Sequence, residues 1–180
     1  QHLQELPTRC YGTYGMTETV SHIALREING ERKSSAYFAL GKVSFSTDER
    51  GCLIINTPHL QQQRFITNDI IRLVDTTHFE WLGRHDNVIN SGGVKLFPES
   101  IEARIASFLS QRFFITAEDD CRLGQKAVLV IESLPWDEAE CQQLLSRLKS
   151  CLSPYEVPKN IYFQEHLTET YSGKIVRKIK

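Results

Sequence analysis

His78-Phe79-Glu80-Trp81-Leu82-Gly83-Arg84-His85-Asp86-Asn87 is the stretch at which the texture of this 180-residue chain changes. On its N-terminal side, His78 to Leu82 reads as a strand, and so do Ala36 to Leu40, Val43 to Ser46, Cys52 to Asn56 and Ile70 to Val74. Turn formers separate them at Gly41, at Asp48-Glu49-Arg50-Gly51 and at Asp75-Thr76-Thr77. Short strands at this spacing predict a small antiparallel sheet or barrel. Beyond the polar run Arg84 to Asn87, Ile101, Ile105, Phe108 and Leu109 recur at helical spacing behind Pro98, whose missing N–H suits a first helical turn. Arg112 to Ala117 and Lys126 to Glu132 read as strands. A second helix is expected from Asp137, with Glu140 as its capping partner and Leu144, Leu145, Leu148 and Leu152 along one face, ended by Pro154 and Pro158. Asn160 to Glu165 reads as one more strand, and Lys174 to Lys180 as a last helical turn or two. The expected fold is α+β in two domains: residues 1–85, β-rich, and residues 86–180, a small α+β unit.

Composition narrows the function classes. Twenty-one basic side chains against 22 acidic ones give a formal charge of −1, so the overall balance points to neither nucleic acid nor a membrane surface. Five cysteines, at 10, 52, 121, 141 and 151, make an odd number with no C-x-x-C pair, which argues against a disulfide framework and a thiolate zinc site and fits a reducing cytoplasm. No apolar run approaches the roughly 20 residues that span a bilayer. The first residues, Gln1-His2-Leu3-Gln4, carry neither an initiator methionine nor a signal-peptide pattern, and the chain reads as a piece of a longer protein.

Three short motifs and one aspartate carry the chemistry: Tyr14-Gly15-Met16-Thr17-Glu18, Asp69, Gly83-Arg84-His85-Asp86 running into Ser91-Gly92-Gly93, and Ser172-Gly173-Lys174. A carboxylate such as Glu18 can hold Mg²⁺ against phosphates while a hydroxyl such as Thr17 positions one oxygen. Asp69 can accept two hydrogen bonds from vicinal ribose hydroxyls. Arg84 supplies a fork of donors for ribose or phosphate oxygens. Lys174 is a cation on a flexible stem that can bridge an attacking carboxylate and an α-phosphate, with Gly173 permitting an irregular approach. Each feature also has a plainer structural reading. Tyr14 to Glu18 can be a turn into a capped element, Asp69 a turn residue that begins a strand, Arg84 half of a surface ion pair, Ser91-Gly92-Gly93 a β-turn, and Lys174 part of a basic amphipathic tail.

In this order, the motifs resemble the C-terminal part of the acyl-adenylate-forming enzymes, and the resemblance covers nearly the whole chain. It implies that the tyrosine at Tyr14, beside Gly15, packs on adenine, that Thr17 contacts phosphate, that Glu18 binds magnesium, and that Asp69 and Arg84 hold the nucleotide. It also implies that Asp86 is the hinge about which a small domain swings, that Ser91, Gly92 and Gly93 face the pantetheine of coenzyme A, and that Lys174 is catalytic. Asn68 departs from the glycine usual at its position, a mild change because asparagine tolerates left-handed backbone. His22, four residues after Glu18, falls where such ligases line the acyl pocket; as a lone histidine it is equally a structural or surface residue. The run Phe79 to Gly93, followed by Pro98-Glu99-x-x-Glu102, looks most like the o-succinylbenzoate–CoA ligase branch. The expectation is therefore an ATP-, Mg²⁺- and coenzyme A-using ligase acting on a small carboxylic acid, o-succinylbenzoate first. A benzoate or fatty-acid ligase, and a non-catalytic α+β module that uses its basic tail, are the alternatives. No Gly-rich, Ser/Thr-rich phosphate loop occurs in these 180 residues, so the chain alone is expected to be inactive.

Overall fold

The computed structural model describes residue 3 and residues 6–179, and the chain divides between His85 and Asp86 into two compact units. The first unit holds seven strands: β1 (Tyr11–Gly15), β2 (His22–Glu27), β3 (Ala36–Ala39), β4 (Ser44–Thr47), β5 (Cys52–Asn56), β6 (Arg64–Asp75) and β7 (His78–Arg84). They form one antiparallel sheet in the order β1-β2-β3-β7-β6-β5-β4. The sheet is open, with β1 and β4 at its edges, and of the two expected forms the barrel is not realised. Its core gathers Ile23, Val43, Phe45, Leu53, Ile55, Phe65, Ile71 and Phe79 on one side. Alternation explains the long β6: Phe65 and Thr67 are buried while Arg64 and Ile66 are exposed, so the strand starts at Arg64 rather than near Asp69. Asp69 thus lies in mid-strand, opposite Arg84.

The second unit contains β8 (Ile89–Ser91), β9 (Val94–Leu96), α1 (Pro98–Ile105), β10 (Phe113–Asp120), β11 (Gly124–Glu132), α2 (Glu138–Lys149) and β12 (Ile161–Gln164). Strand β11 is central. It pairs antiparallel with β10 along its length, with β8 at Gly124, and parallel with β12 from Leu129 to Glu132. Residues 127–131 are all buried, as expected of a strand covered on both faces. Ala127, Leu129 and Ile131 join Ile101, Ile105, Leu144 and Leu148 of the helices, whereas Val130 and Phe114 meet Leu167 and Ile175 from the C-terminal segment.

The helix signals act as expected. Pro98 sits in the first turn of α1. At the start of α2, Glu140 N donates to Asp137 Oδ1 (2.8 Å) and Asp137 N donates to Glu140 Oε2 (3.1 Å), a reciprocal cap. That helix stops at Lys149, before Pro154, where the Ser150 hydroxyl donates to Arg147 O (2.7 Å). The C-terminal segment departs from expectation: it is extended, not helical. Glu169 bridges Ile175 antiparallel, and Val176 N donates to Thr168 O (2.8 Å). The cause is packing, because an extended backbone lets Ile175 enter the apolar cluster on one face of the sheet while Arg177 reaches the outer edge of β10 at Ile115. No helix among the described residues is long and apolar enough to cross a membrane.

Candidate functional site

In the first unit, Tyr14, Asp69 and Arg84 come together although 55 and 15 residues separate them in sequence. The Tyr14 hydroxyl donates to Asp69 Oδ2 at 2.5 Å, and Arg84 Nη1 lies 3.4 Å from Asp69 Oδ1. Each carboxylate oxygen therefore has one donor and keeps a lone pair for another. The Tyr14 ring packs edge-on against Phe79 (5.2 Å between centroids) and Tyr37 (5.7 Å), which fixes its plane. Burial, and then the hydrogen bond to Asp69, hold its phenol well above the ordinary tyrosine range, so Tyr14 is a neutral donor. Tyr37 and Phe79 did not figure among the expected site residues. The alternation of β3 and β7 is the signal that places both beneath Tyr14.

The loop from Gly15 to His22 joins β1 to β2 through a 3-10 turn, Thr17–Thr19. Thr19 is buried and ties the turn down: Met16 N donates to its hydroxyl oxygen (3.0 Å), and that hydroxyl lies 2.9 Å from Met16 O and from Ser21 O. Val20 follows with φ of 66°, an outlier for a β-branched residue. Such strain persists only where the surroundings over-determine the backbone. Thr17 and Glu18 are thereby presented on an exposed turn, and His22 opens β2, also exposed. Gly15 is required by close approach, since a Cβ there would stand 2.7 Å from both His22 Cα and Ser21 O. Gly15→Ala is accordingly expected to destabilise the protein by about 1–3 kcal/mol, read as a lower denaturant midpoint with an unchanged slope. A midpoint equal to the parent's would show that the loop relaxes freely.

In the second unit, Ser91-Gly92-Gly93 is the connection of the β8–β9 hairpin. Gly92 and Gly93 have φ of 59° and 83°, the paired left-handed backbone of a two-residue primed turn. Gly92 N donates to Leu123 O (2.8 Å), and a Cβ on Gly92 would lie 3.1 Å from Leu123 Cδ2 and 3.2 Å from Tyr155 Cε1. The Ser91 hydroxyl is buried and has no hydrogen-bond partner among the described residues. Lys174 stands elsewhere in this unit, after Gly173 (φ 75°), on a loop closed by Gly173 N to Thr170 O (2.9 Å) and Thr170 N to Lys174 O (2.8 Å). Its side chain is exposed, with no ion-pair partner among the described residues. Asp86 lies in a short 3-10 turn, His85–Asn87, at the division between the units.

Among the described residues no three His, Cys, Asp or Glu side chains cluster as a metal cage. A cation held against a nucleotide needs none, because Mg²⁺ usually takes one or two carboxylates plus phosphate oxygens and water. The exposed carboxylate of Glu18 fits that requirement.

Comparison with known proteins places these features in a class. No protein-family model matches the chain. The 2-succinylbenzoate–CoA ligase of Lactococcus lactis is 29% identical over 97% of this chain and 42% of its own length. An acyl-CoA synthetase (AMP-forming)/AMP-acid ligase II-like protein of Dyadobacter fermentans superposes with a TM-score of 0.50 and 41% identity, over 98% of this chain and 51% of that one. The o-succinylbenzoate CoA synthetase of Bacillus subtilis, in complex with the acyl-adenylate intermediate, shares the fold with a TM-score of 0.72 at 20% identity, over 98% of this chain and 42% of that one. The homologues and structural neighbours of this chain are AMP-forming acyl-CoA ligases, and the chain spans 18% to 42% of the length of such curated relatives. Matches to 2-succinylbenzoate–CoA ligases run along 93% and 97% of it, those to a mouse acyl-coenzyme A synthetase and a Mycobacterium avium medium-chain acyl-CoA ligase along 63% and 54%.

Proposed function

We propose that this chain serves an ATP-dependent acid–CoA ligase, and that its acid is o-succinylbenzoate. The observation that carries the reading is the Tyr14–Asp69–Arg84 constellation, in which a carboxylate held from two sides keeps acceptor capacity on both oxygens for the vicinal hydroxyls of a ribose. Tyr14 offers a ring of fixed orientation for an adenine. Thr17 and Glu18 lie on the same β1–β2 connection, three and four residues on. Mg²⁺, when bound, would supply charge neutralisation at the phosphates, with Glu18 as its protein ligand. The substrate carboxylate attacks the α-phosphorus of ATP and pyrophosphate leaves, giving the acyl-adenylate. Lys174 offsets the negative charge that builds on the α-phosphoryl oxygens. In the second half-reaction the coenzyme A thiolate attacks the acyl carbonyl and AMP leaves, with the Ser91-Gly92-Gly93 turn lining the thiol's path and Asp86 serving as the pivot between the two arrangements. The acid itself is chosen on sequence: curated relatives that match along 93% and 97% of the chain are named for 2-succinylbenzoate, while a curated one named for medium- and long-chain fatty acids matches along 61%.

The test is acid-dependent pyrophosphate release, with coenzyme A thioester formed in parallel, by the full-length protein that carries this chain. The panel comprises o-succinylbenzoate, benzoate and a medium-chain fatty acid. The largest kcat/KM is expected for o-succinylbenzoate. Preference for the fatty acid would move the protein to another branch, and no release with any acid would favour a non-catalytic module.

A further inference from the structure

We propose that Arg177 and Glu102 form an ionic latch that positions Lys174 for adenylate formation; this rests on the reading of Lys174 given above. The two side chains are 75 residues apart in sequence and meet as a fork: Arg177 Nη2 donates to Glu102 Oε2 at 2.8 Å, and Nη1 donates to Glu102 Oε1. Nη1 also donates to Ile115 O (2.9 Å), while Ile115 N donates to Glu102 Oε1 (2.7 Å). Strand β10 is a sheet edge, so the N–H and C=O of Ile115 that are bonded here have no neighbouring strand to pair with. The pair therefore does two things at once: it closes the edge of β10, and it fastens the chain three residues beyond Lys174.

Three features make this more than a surface ion pair. The side chains are only 21% and 18% exposed, and the contact is bidentate, unlike the freely solvated pairs that contribute little. Glu99, one turn earlier on α1, stands 3.8 Å from Arg177 and adds a second carboxylate. The other arm of the loop is fastened too, because Arg112 pairs with Glu169 and lies 3.5 Å from Glu132, whose carboxylate accepts from Leu167 N (2.9 Å). Between these anchors Ile175 is packed against Phe114, Val130 and Leu167, while Tyr171, Ser172, Gly173 and Lys174 remain exposed. Lys174 thus lies on a short loop that is contacted at both ends. Positioning of this kind matters because a misplacement of ~1 Å in a reacting group can cost about 10²-fold in rate.

Arg177→Lys retains the charge but not the planar fork. In the full-length protein, Arg177→Lys is expected to slow single-turnover adenylate formation about tenfold. The KM for ATP should stay near the parental value, and thioester formation from pre-made acyl-adenylate should stay within about twofold. Glu102→Gln, which keeps an acceptor for Ile115 N and loses the charge, is expected to show the same split to a smaller degree, and it carries the test should Arg177→Lys fold poorly. The decisive arm is the double variant: in a Lys174→Ala background, Arg177→Lys should cause no further loss, since a latch acts only through what it holds. A further tenfold loss there, or equal loss in both half-reactions, overturns the latch. If Lys174→Ala alone leaves adenylation intact, the role given to Lys174 falls and the latch with it, whereas a slow Lys174→Ala beside a fully active Arg177→Lys refutes the latch only.

Discussion

Lys174→Ala in the full-length protein is expected to lower acid-dependent adenylate formation by about 10²- to 10³-fold, the loss typical of removing one donor from a preorganised oxyanion site. Thioester formation from pre-made acyl-adenylate is expected to stay near the parental rate. The reasoning begins with local structure. Gly173 takes φ of 75°, and the loop is closed on itself through Thr170, whose hydroxyl oxygen accepts from Lys174 N (3.1 Å). The backbone is therefore defined while the side chain extends into solvent. A long cation held at its base and unpaired among the described residues is available to an anionic partner, and in the role proposed for it the charge to be offset is larger in the transition state than in bound ATP. The measurement is a pair of single-turnover assays on one preparation. Equal loss in both would show that Lys174 supports folding or binding alone. Retained adenylation would assign the charge stabilisation to another group.

Where the sequence was legible, local chemistry sufficed. Strand β5 occupies Cys52–Asn56 as read, and the Asp137/Glu140 cap of α2 is formed, because turn residues and reciprocal capping act within a few positions. Strand β1 is not legible in the sequence for a physical reason: Tyr11-Gly12-Thr13-Tyr14-Gly15 has two glycines, which ordinarily weaken a strand. In the structure both mark close approaches, the side chain of Arg26 over Gly12 and the backbone of Ser21 and His22 against Gly15. Neither neighbour is visible in β1 itself. The C-terminal segment is the opposite case, helical by its local pattern and extended in the structure. Its apolar residues Ile175, Val176 and Ile179 fall on one face of a helix when the segment is taken alone, and only the apolar face of a distant sheet and the carboxylate of Glu102 draw it out straight.

The candidate site divides along the same line. Asp69 and Arg84 were expected to serve the same ligand, but sequence alone left their mutual contact open, and it arises from the register of β6 on β7, which sets them directly across from one another. The hydrogen bond from Tyr14 depends on strands four places apart in the sheet order, a relation that no local pattern encodes. Ser91-Gly92-Gly93 shows the converse: the plainer reading as a turn is fully realised by its two left-handed glycines. Any role toward coenzyme A is additional to that one.

Asp86→Pro in the full-length protein is expected to separate the half-reactions in the sense opposite to Lys174→Ala, with near-normal single-turnover pyrophosphate release and strongly reduced thioester formation. Asp86 lies in the 3-10 turn His85–Asn87, where the chain passes from one compact unit to the next. A pivot must absorb its change in φ and ψ at a few such residues. Proline fixes φ near −65°, inside the range of a 3-10 turn, so the turn can persist while the rotation is lost. A protein that needs one arrangement to make the adenylate and a second to use it would then complete the first step and stall. Asp86→Gly serves as the control, since glycine leaves the backbone free and both half-reactions should survive. Both assays belong on one preparation whose melting temperature is close to the parent's, so that a general loss of folding does not pass for a stalled pivot. Unimpaired thioester formation in Asp86→Pro would place the pivot elsewhere. Loss of both steps at an unchanged melting temperature would mean that the turn itself contributes to adenylation.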